Sequence, residues 1–165
     1  MKLIKNIAIF TLVLLVGSCQ FLSSIKSSSY FPQPKGFVND FEQLFTKNET
    51  DSLENRLKNY QHQTTREIAV VSLKTIAPYT DFDQYAINLS NYWGVGNKDS
   101  SNGLTIVFSK NLRKVRINTG IGTQKIFTDS TCQNIINQTL IPAFKESAYY
   151  NGIQKSITEI MAKWN

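Results

Sequence analysis

Cys19 has the setting that most directly specifies chemistry. Val16-Gly17-Ser18 place small side chains just before it, an apolar run from Ile7 to Val16 leads up to them, and Lys2 and Lys5 open the chain. A basic start, a short apolar core and a small-residue cleavage site make up an export leader. A cysteine at the cleavage point is the layout of a bacterial lipoprotein, whose thiol receives lipid and begins the mature chain. The apolar run falls short of the roughly 20 residues a transmembrane helix needs. The expectation is therefore a leader over 1–18, a lipidated Cys19, and a protein held to a membrane and facing outside the cytoplasm. Bacterial lipoproteins carry several acyl chains, and more than one chain makes anchoring stable. Gln20, rather than Asp, after the cysteine favours the outer membrane in a Gram-negative cell.

The common catalytic sets have no material here. His62 is the single histidine and stands at the polar end of a helical pattern, so neither a Ser-His-Asp nor a Cys-His arrangement can be assembled around it. Cys132 is the second of 2 cysteines. With Cys19 lipidated it has no disulfide partner, and it reads as a small buried hydrophobe on a helix. There is no zinc-ligand spacing and no phosphate loop ending in Gly-Lys-Ser. Gly94-Val95-Gly96 and Gly120-Ile121-Gly122 are isolated pairs, expected to mark turns that need positive φ. The formal charge of +6 is scattered along the chain, with no basic run interleaved with stacking aromatics. That pattern argues against nucleic acid as a partner and for a solvated surface weakly attracted to anionic headgroups.

The elements that must position any site follow from periodicity. Ser23, Ser24, Ser27, Ser28 and Ser29, then Pro32 and Pro34, make a tether over 19–35. The folded domain is expected over 36–165. Thr46 and Glu49 have capping-box spacing, and Leu53, Leu57 and Tyr60 recur at helical intervals, predicting a helix over 47–62. Residues 67–73 form a compact apolar run and predict a buried strand. Asp81 or Thr80 caps a second helix with the stripe Phe82, Tyr85, Ala86, Leu89 and Trp93, closed by Gly94 and Gly96. Residues 103–109 predict another buried strand. Over 113–118, Val115 and Ile117 face one way and Lys114 and Arg116 the other, predicting a hairpin partner with one wet face. Thr128 caps a third helix that Pro142 should interrupt, and a last helix runs over about 150–164. Helices interleaved with apolar strands predict a sheet covered on both faces.

Several segments recur in a telling order. Val38-Asn39-Asp40 precedes the first helix. Tyr92-Trp93-Gly94-Val95-Gly96 leads through Asn97-Lys98 to Asn102-Gly103. Arg113-Lys114-Val115-Arg116-Ile117 runs into Gly120-Ile121-Gly122. Thr128-Asp129 opens a helix ending in Ile141-Pro142-Ala143-Phe144, and Tyr149-Tyr150-Asn151-Gly152-Ile153 follows. This ordered set, from Gly36 to about Ile160, resembles the TPM domain family, which includes thylakoid-lumen proteins of photosystem II repair and many exported bacterial proteins. The resemblance implies an α/β fold, a three-layer α/β/α sandwich with a small mixed sheet. It also implies divalent cation binding, calcium in particular or magnesium, and, from plant relatives, acid phosphatase activity.

Carried over position by position, the resemblance makes Asp40, Asn102 and Asp129 metal-ligand candidates. Asp99, Ser101, Asn118, Gly120 and Gly122 are further members of ligand loops. Many relatives have Asp-Asn-Gly where this chain has Ser101-Asn102-Gly103, and an acidic residue where Asn118 stands. Each change removes a carboxylate, and a hard cation prefers several oxygen ligands, charged ones above all. Asp99 is placed to compensate. The cation site therefore requires Asp40 and Asp129 to converge. Three functions fit these readings: a membrane-tethered binding or scaffold module, a metal-dependent phosphatase, and an envelope assembly or repair factor with a protein partner and an exposed apolar groove. The first needs no catalytic apparatus and is the expectation.

Overall fold

The computed structural model describes residues 31–96 and 99–164. The leader, Cys19 and the first part of the tether lie outside the described residues. The elements are β1 (Val38–Asp40), α1 (Lys47–Thr64), β2 (Glu67–Ser72), α2 (Phe82–Trp93), β3 (Gly103–Ser109), β4 (Lys114–Thr119), α3 (Asp129–Ile135), a π turn (Ile136–Leu140), α4 (Ile141–Lys145) and α5 (Tyr149–Lys163). Among the described residues no helix is long and apolar enough to cross a membrane.

The sheet is mixed, in the order β1-β2-β3-β4. β1, β2 and β3 are parallel neighbours, and β4 returns antiparallel to β3 with Ile106 opposite Ile117. Strand alternation sorts the side chains onto two faces. Ile68, Val70, Leu104, Ile106, Phe108 and Ile117 join Leu53 and Leu57 of α1 and Ile153, Ile157 and Ile160 of α5 in one buried core. Val71 and Val107 point the other way, against Phe82, Tyr85, Ala86 and Leu89 of α2. Helices thus cover both faces, as the apolar strands require: three layers around one small mixed sheet. A single helix, α2, covers the second face, and this leaves part of β4 open.

Local chemistry sets the element ends. Thr46 and Glu49 form the capping box of α1. Asp81 accepts from the amides of Asp83 and Gln84 to start α2, and Gly94, at φ 65°, ends it. β1 is a strand where the sequence suggested only a pre-helical segment. Its 3 residues are too few to show periodicity. They are held by pairing with β2 and by the Glu54 carboxylate, which accepts from the amides of Phe37 and Val38 at 3.0 and 2.8 Å.

Pro142 does not interrupt the third helix. Winding continues from α3 to α4 because the π turn before Pro142 shifts the backbone register, with the Ile141 amide donating to the Ile136 carbonyl. A one-residue widening of this kind relieves the clash and the missing donor that proline brings to an α-helix.

The folded unit also starts earlier than Gly36, at Phe31. The Phe31 ring lies 5.1 Å from Tyr85 and 5.8 Å from Tyr79, centroid to centroid, and the Trp93 indole donates to the Pro32 carbonyl at 2.7 Å. The end of the expected tether is therefore packed on the α2 layer.

Candidate functional site

A cleft of about 210 Å³ opens where α2 leaves β4 uncovered, at the end of the sheet where β3 begins and β4 ends. Hairpin alternation puts Thr105, Arg116 and Asn118 on the α2 side of the sheet. α2 supplies Ser90 and Asn91, and Gln124 and Asp129 come from the segment entering α3. Asn118 joins the two walls: its amide donates to Ser90 Oγ at 2.9 Å, and its oxygen accepts from Arg116 Nε at 2.6 Å. The Arg116 guanidinium also lies 3.3 Å from Asp83 on the first turn of α2. A fixed cation, paired with Asp83, therefore lines the cleft together with the Asp129 carboxylate.

The glycines of this end are needed for close approach. Gly120 donates to the Gly103 carbonyl at 2.9 Å. A Cβ on Gly120 would lie 2.8 Å from the Ser101 carbonyl carbon, and one on Gly122 would lie 3.2 Å from that of Ser100. Positive φ belongs to Gly94 and Gly96 and not to the second pair. The expectation of two like turns is corrected accordingly: Gly120 and Gly122 lack side chains because the 99–102 loop lies against them.

The structure separates the residues expected to share a cation. Asn118, Gly120 and Asp129 line the cleft. Asn102 stands next to it but is tied to the α1–β2 turn, its side chain donating to the Thr65 carbonyl at 2.9 Å and its carbonyl accepting from Glu67 N at 3.2 Å. Asp99 and Ser101 belong to the same loop, with Ser101 at φ 46°. Asp40 is at the other end of the sheet. It pairs with Ser72, which pairs with Phe108, whereas Asn102 immediately precedes β3. β3 has 7 residues, so the two ends are about 20 Å apart at the usual strand rise. Both Asp40 oxygens are engaged locally: one accepts from the Phe45 amide at 2.7 Å, the other from the Ser72 hydroxyl.

A calcium or magnesium ion does not fit the residues described. The lining of the cleft has one carboxylate, Asp129, and also a guanidinium, Arg116, where a hard cation would need several oxygens and no competing positive charge. Among the described residues no group of three or more His, Cys, Asp or Glu is placed to hold a metal.

Two other reactive groups do not line the cleft. His62 is exposed near the end of α1, on the opposite face of the sheet. Cys132 is buried one turn into α3, and its thiol is pushed up to about 11, by burial first and then by the Asp129 charge, with Arg116 opposing. At neutral pH it is a protonated thiol and a poor nucleophile. Arg116 and Ser90 are among the cleft residues that sequence reasoning did not single out as a site, with Asn91, Thr105 and Gln124. The available signal was the alternation of Lys114, Arg116 and Asn118 on one side of β4, opposite Val115 and Ile117.

Comparison with known proteins agrees with this architecture. Three solved structures share the fold. The N-terminal domain of a Porphyromonas gingivalis protein is 28% identical with a TM-score of 0.68, covering 77% of this chain and 80% of that one. The BA42 protein of the psychrophilic bacterium Bizionia argentinensis is 19% identical with a TM-score of 0.64, covering 74% and 83%. The N-terminal domain of a Corynebacterium glutamicum protein is 13% identical with a TM-score of 0.60, covering 78% and 79%. Among curated proteins, none matches. The family model described as the TPM domain matches residues 38–163, which takes in every strand and helix above, and the chain belongs to that family.

Proposed function

We propose that the protein is a membrane-tethered, extracytoplasmic binding module. Its site is the α2–β4 cleft, and its ligand is a small polar molecule that offers an acceptor to Arg116 and a donor to Asp129. One observation carries the reading: Arg116, Asn118 and Ser90 form a hydrogen-bonded bridge between β4 and α2, which fixes a cation in a lining that also holds Asp129. With Nε donating to Asn118 and Nη1 beside Asp83, the guanidinium has Nη2 left to donate to an acceptor oxygen of the ligand.

The address rests on the leader and on Cys19 with its preceding small residues. Mass spectrometry of the protein from its own membrane is expected to find a diacylglyceryl group on Cys19 at the amino terminus; an unmodified sulfur on soluble protein would refute the anchoring. For the site, calorimetry on the mature chain carrying Cys19→Ser, with a panel of amino acids and dicarboxylates, is expected to give heat that disappears in Arg116→Gln. Heat unchanged by that substitution would place the ligand elsewhere.

The metal-dependent phosphatase reading has less support, because the residues described do not make its cation site. Activity lost on chelation and on Asp129→Asn would revive it. The assembly-factor reading draws on Ile121 and Ile126 near the cleft, 78% and 42% exposed, but two side chains fall short of a groove.

A further inference from the structure

The other end of the sheet carries a second cavity, of about 670 Å³, between the β3–β4 turn and the α4–α5 corner. Lys110, Arg113, Lys114 and Lys145 line it, and no carboxylate does. The two ion pairs formed among the described residues, Lys47–Asp51 and Arg116–Asp83, involve none of these four. Glu42 reaches the turn, but its oxygens accept from the amides of Lys110 and Asn111 at 2.8 and 3.1 Å. Glu146, at the same corner, is not part of the lining. Four like charges are thus gathered around one groove whose lining has no carboxylate, with the single charge of Glu42 at the turn offsetting them in part, an arrangement that favours entry of an anion.

The backbone points the same way. Arg113 and Ser147, both lining the groove, have φ of 52° and 60°. The left-handed region costs a non-glycine residue free energy that glycine avoids, yet the hairpin turn keeps an arginine there. The rest of the wall is apolar, with Val115, Ile141 and Phe144, and the Tyr149 ring lies 5.9 Å from Lys110 Nζ. Leu112, at the tip of the turn, is 39% exposed. Cationic side chains beside an apolar wall and an exposed leucine suit a molecule with an anionic head and an apolar continuation.

We propose that this groove binds the phosphate headgroup of an anionic phospholipid and so orients the domain on the membrane surface. The site is separate from the α2–β4 cleft, and the proposal does not depend on that cleft's ligand.

The test uses the mature chain carrying Cys19→Ser, so that vesicle association cannot come from an anchor. It is sedimented with phosphatidylcholine vesicles made with and without phosphatidylglycerol. Binding is expected only with phosphatidylglycerol and should weaken as salt is raised. Arg113→Gly combined with Lys114→Gln removes two groove charges and relieves the turn, so the protein should melt no lower than the parent while vesicle affinity falls about tenfold or more. Lys58→Gln with Lys155→Gln removes the same charge from the exposed surfaces of α1 and α5 and should leave affinity within about twofold. Equal losses in the two double variants, or equal binding to vesicles lacking phosphatidylglycerol, would overturn the proposal. So would the absence of vesicle binding alongside a melting-temperature rise with glycerol phosphate that Arg113→Gly/Lys114→Gln abolishes, since the ligand would then be a soluble phosphate ester.

Discussion

Replacing Gly120 by alanine separates two reasons for a glycine. A Cβ there would stand 2.8 Å from the Ser101 carbonyl carbon and 3.4 Å from Gly103 N. Ordinary contact begins near 3.4 Å, so the 99–102 loop would have to retreat by more than half an ångström. That loop is held by Glu67 N donating to the Asn102 carbonyl at 3.2 Å and by the Asn102 side chain on Thr65 at 2.9 Å. Forcing such a displacement in packed structure costs about 1–3 kcal/mol, or roughly 5–15 °C in Tm for a domain of this size. Gly94→Ala is the control. Nothing lies within 4 Å of its added Cβ, and only the φ of 65° opposes it, at about 1 kcal/mol. Calorimetric melting gives the stabilities, and hydrogen exchange at the Glu67 amide reports the loop. Gly120→Ala is expected to lower Tm and to speed exchange at Glu67; Gly94→Ala should leave that amide protected. A Gly120→Ala protein that melts within about 1 °C of the parent, with Glu67 equally protected, would refute the close-approach reasoning.

Three further outcomes are expected. Asp40→Ala strands the Phe45 amide and the Ser72 hydroxyl and should cost about 1–3 kcal/mol by denaturant titration, without altering cleft binding, because Asp40 is at the opposite end of the sheet. Cys132 holds its proton up to about 11 when folded, against 9.0 for the free group. The unfolded chain therefore releases that proton first, and stability falls as pH rises from about 9 to 11; the fall should be shallower in Cys132→Ala when Tm is followed against pH. Pro142→Ala should change stability by less than the roughly 3 kcal/mol a proline costs inside an α-helix, because the π turn already accommodates it, and thermal melting checks this.

Much of the fold is legible in the sequence because punctuation and periodicity agree. Asp81 and Gly94 bracket a helical stripe, and α2 runs between them. The run 103–109 and the alternation after it give the hairpin within a residue. β1 escapes notice because its stability comes from the neighbouring strand and from Glu54, far along the chain. Pro142 misleads because proline's usual effect assumes an α register, which the π turn sets aside. The candidate site was harder to read. A residue ending a parallel strand, Asp40, and a residue starting one, Asn102, lie at opposite ends of the sheet, and only the pairing order reveals it. Arg116 was legible as facing a wet side, but that α2 would stop short and make that side a cleft depends on packing between distant segments.

The proposed α2–β4 site takes a polar ligand on the Arg116 guanidinium and no metal ion. Titrating calcium and then magnesium into isotopically labelled mature protein, with amide resonances followed by NMR, tests it most directly. The amides of Asn118, Gly120 and Asp129 should stay in place through millimolar metal and move in Arg116→Gln. Saturable shifts of those three amides at submillimolar calcium, abolished by Asp129→Asn, would contradict the claim.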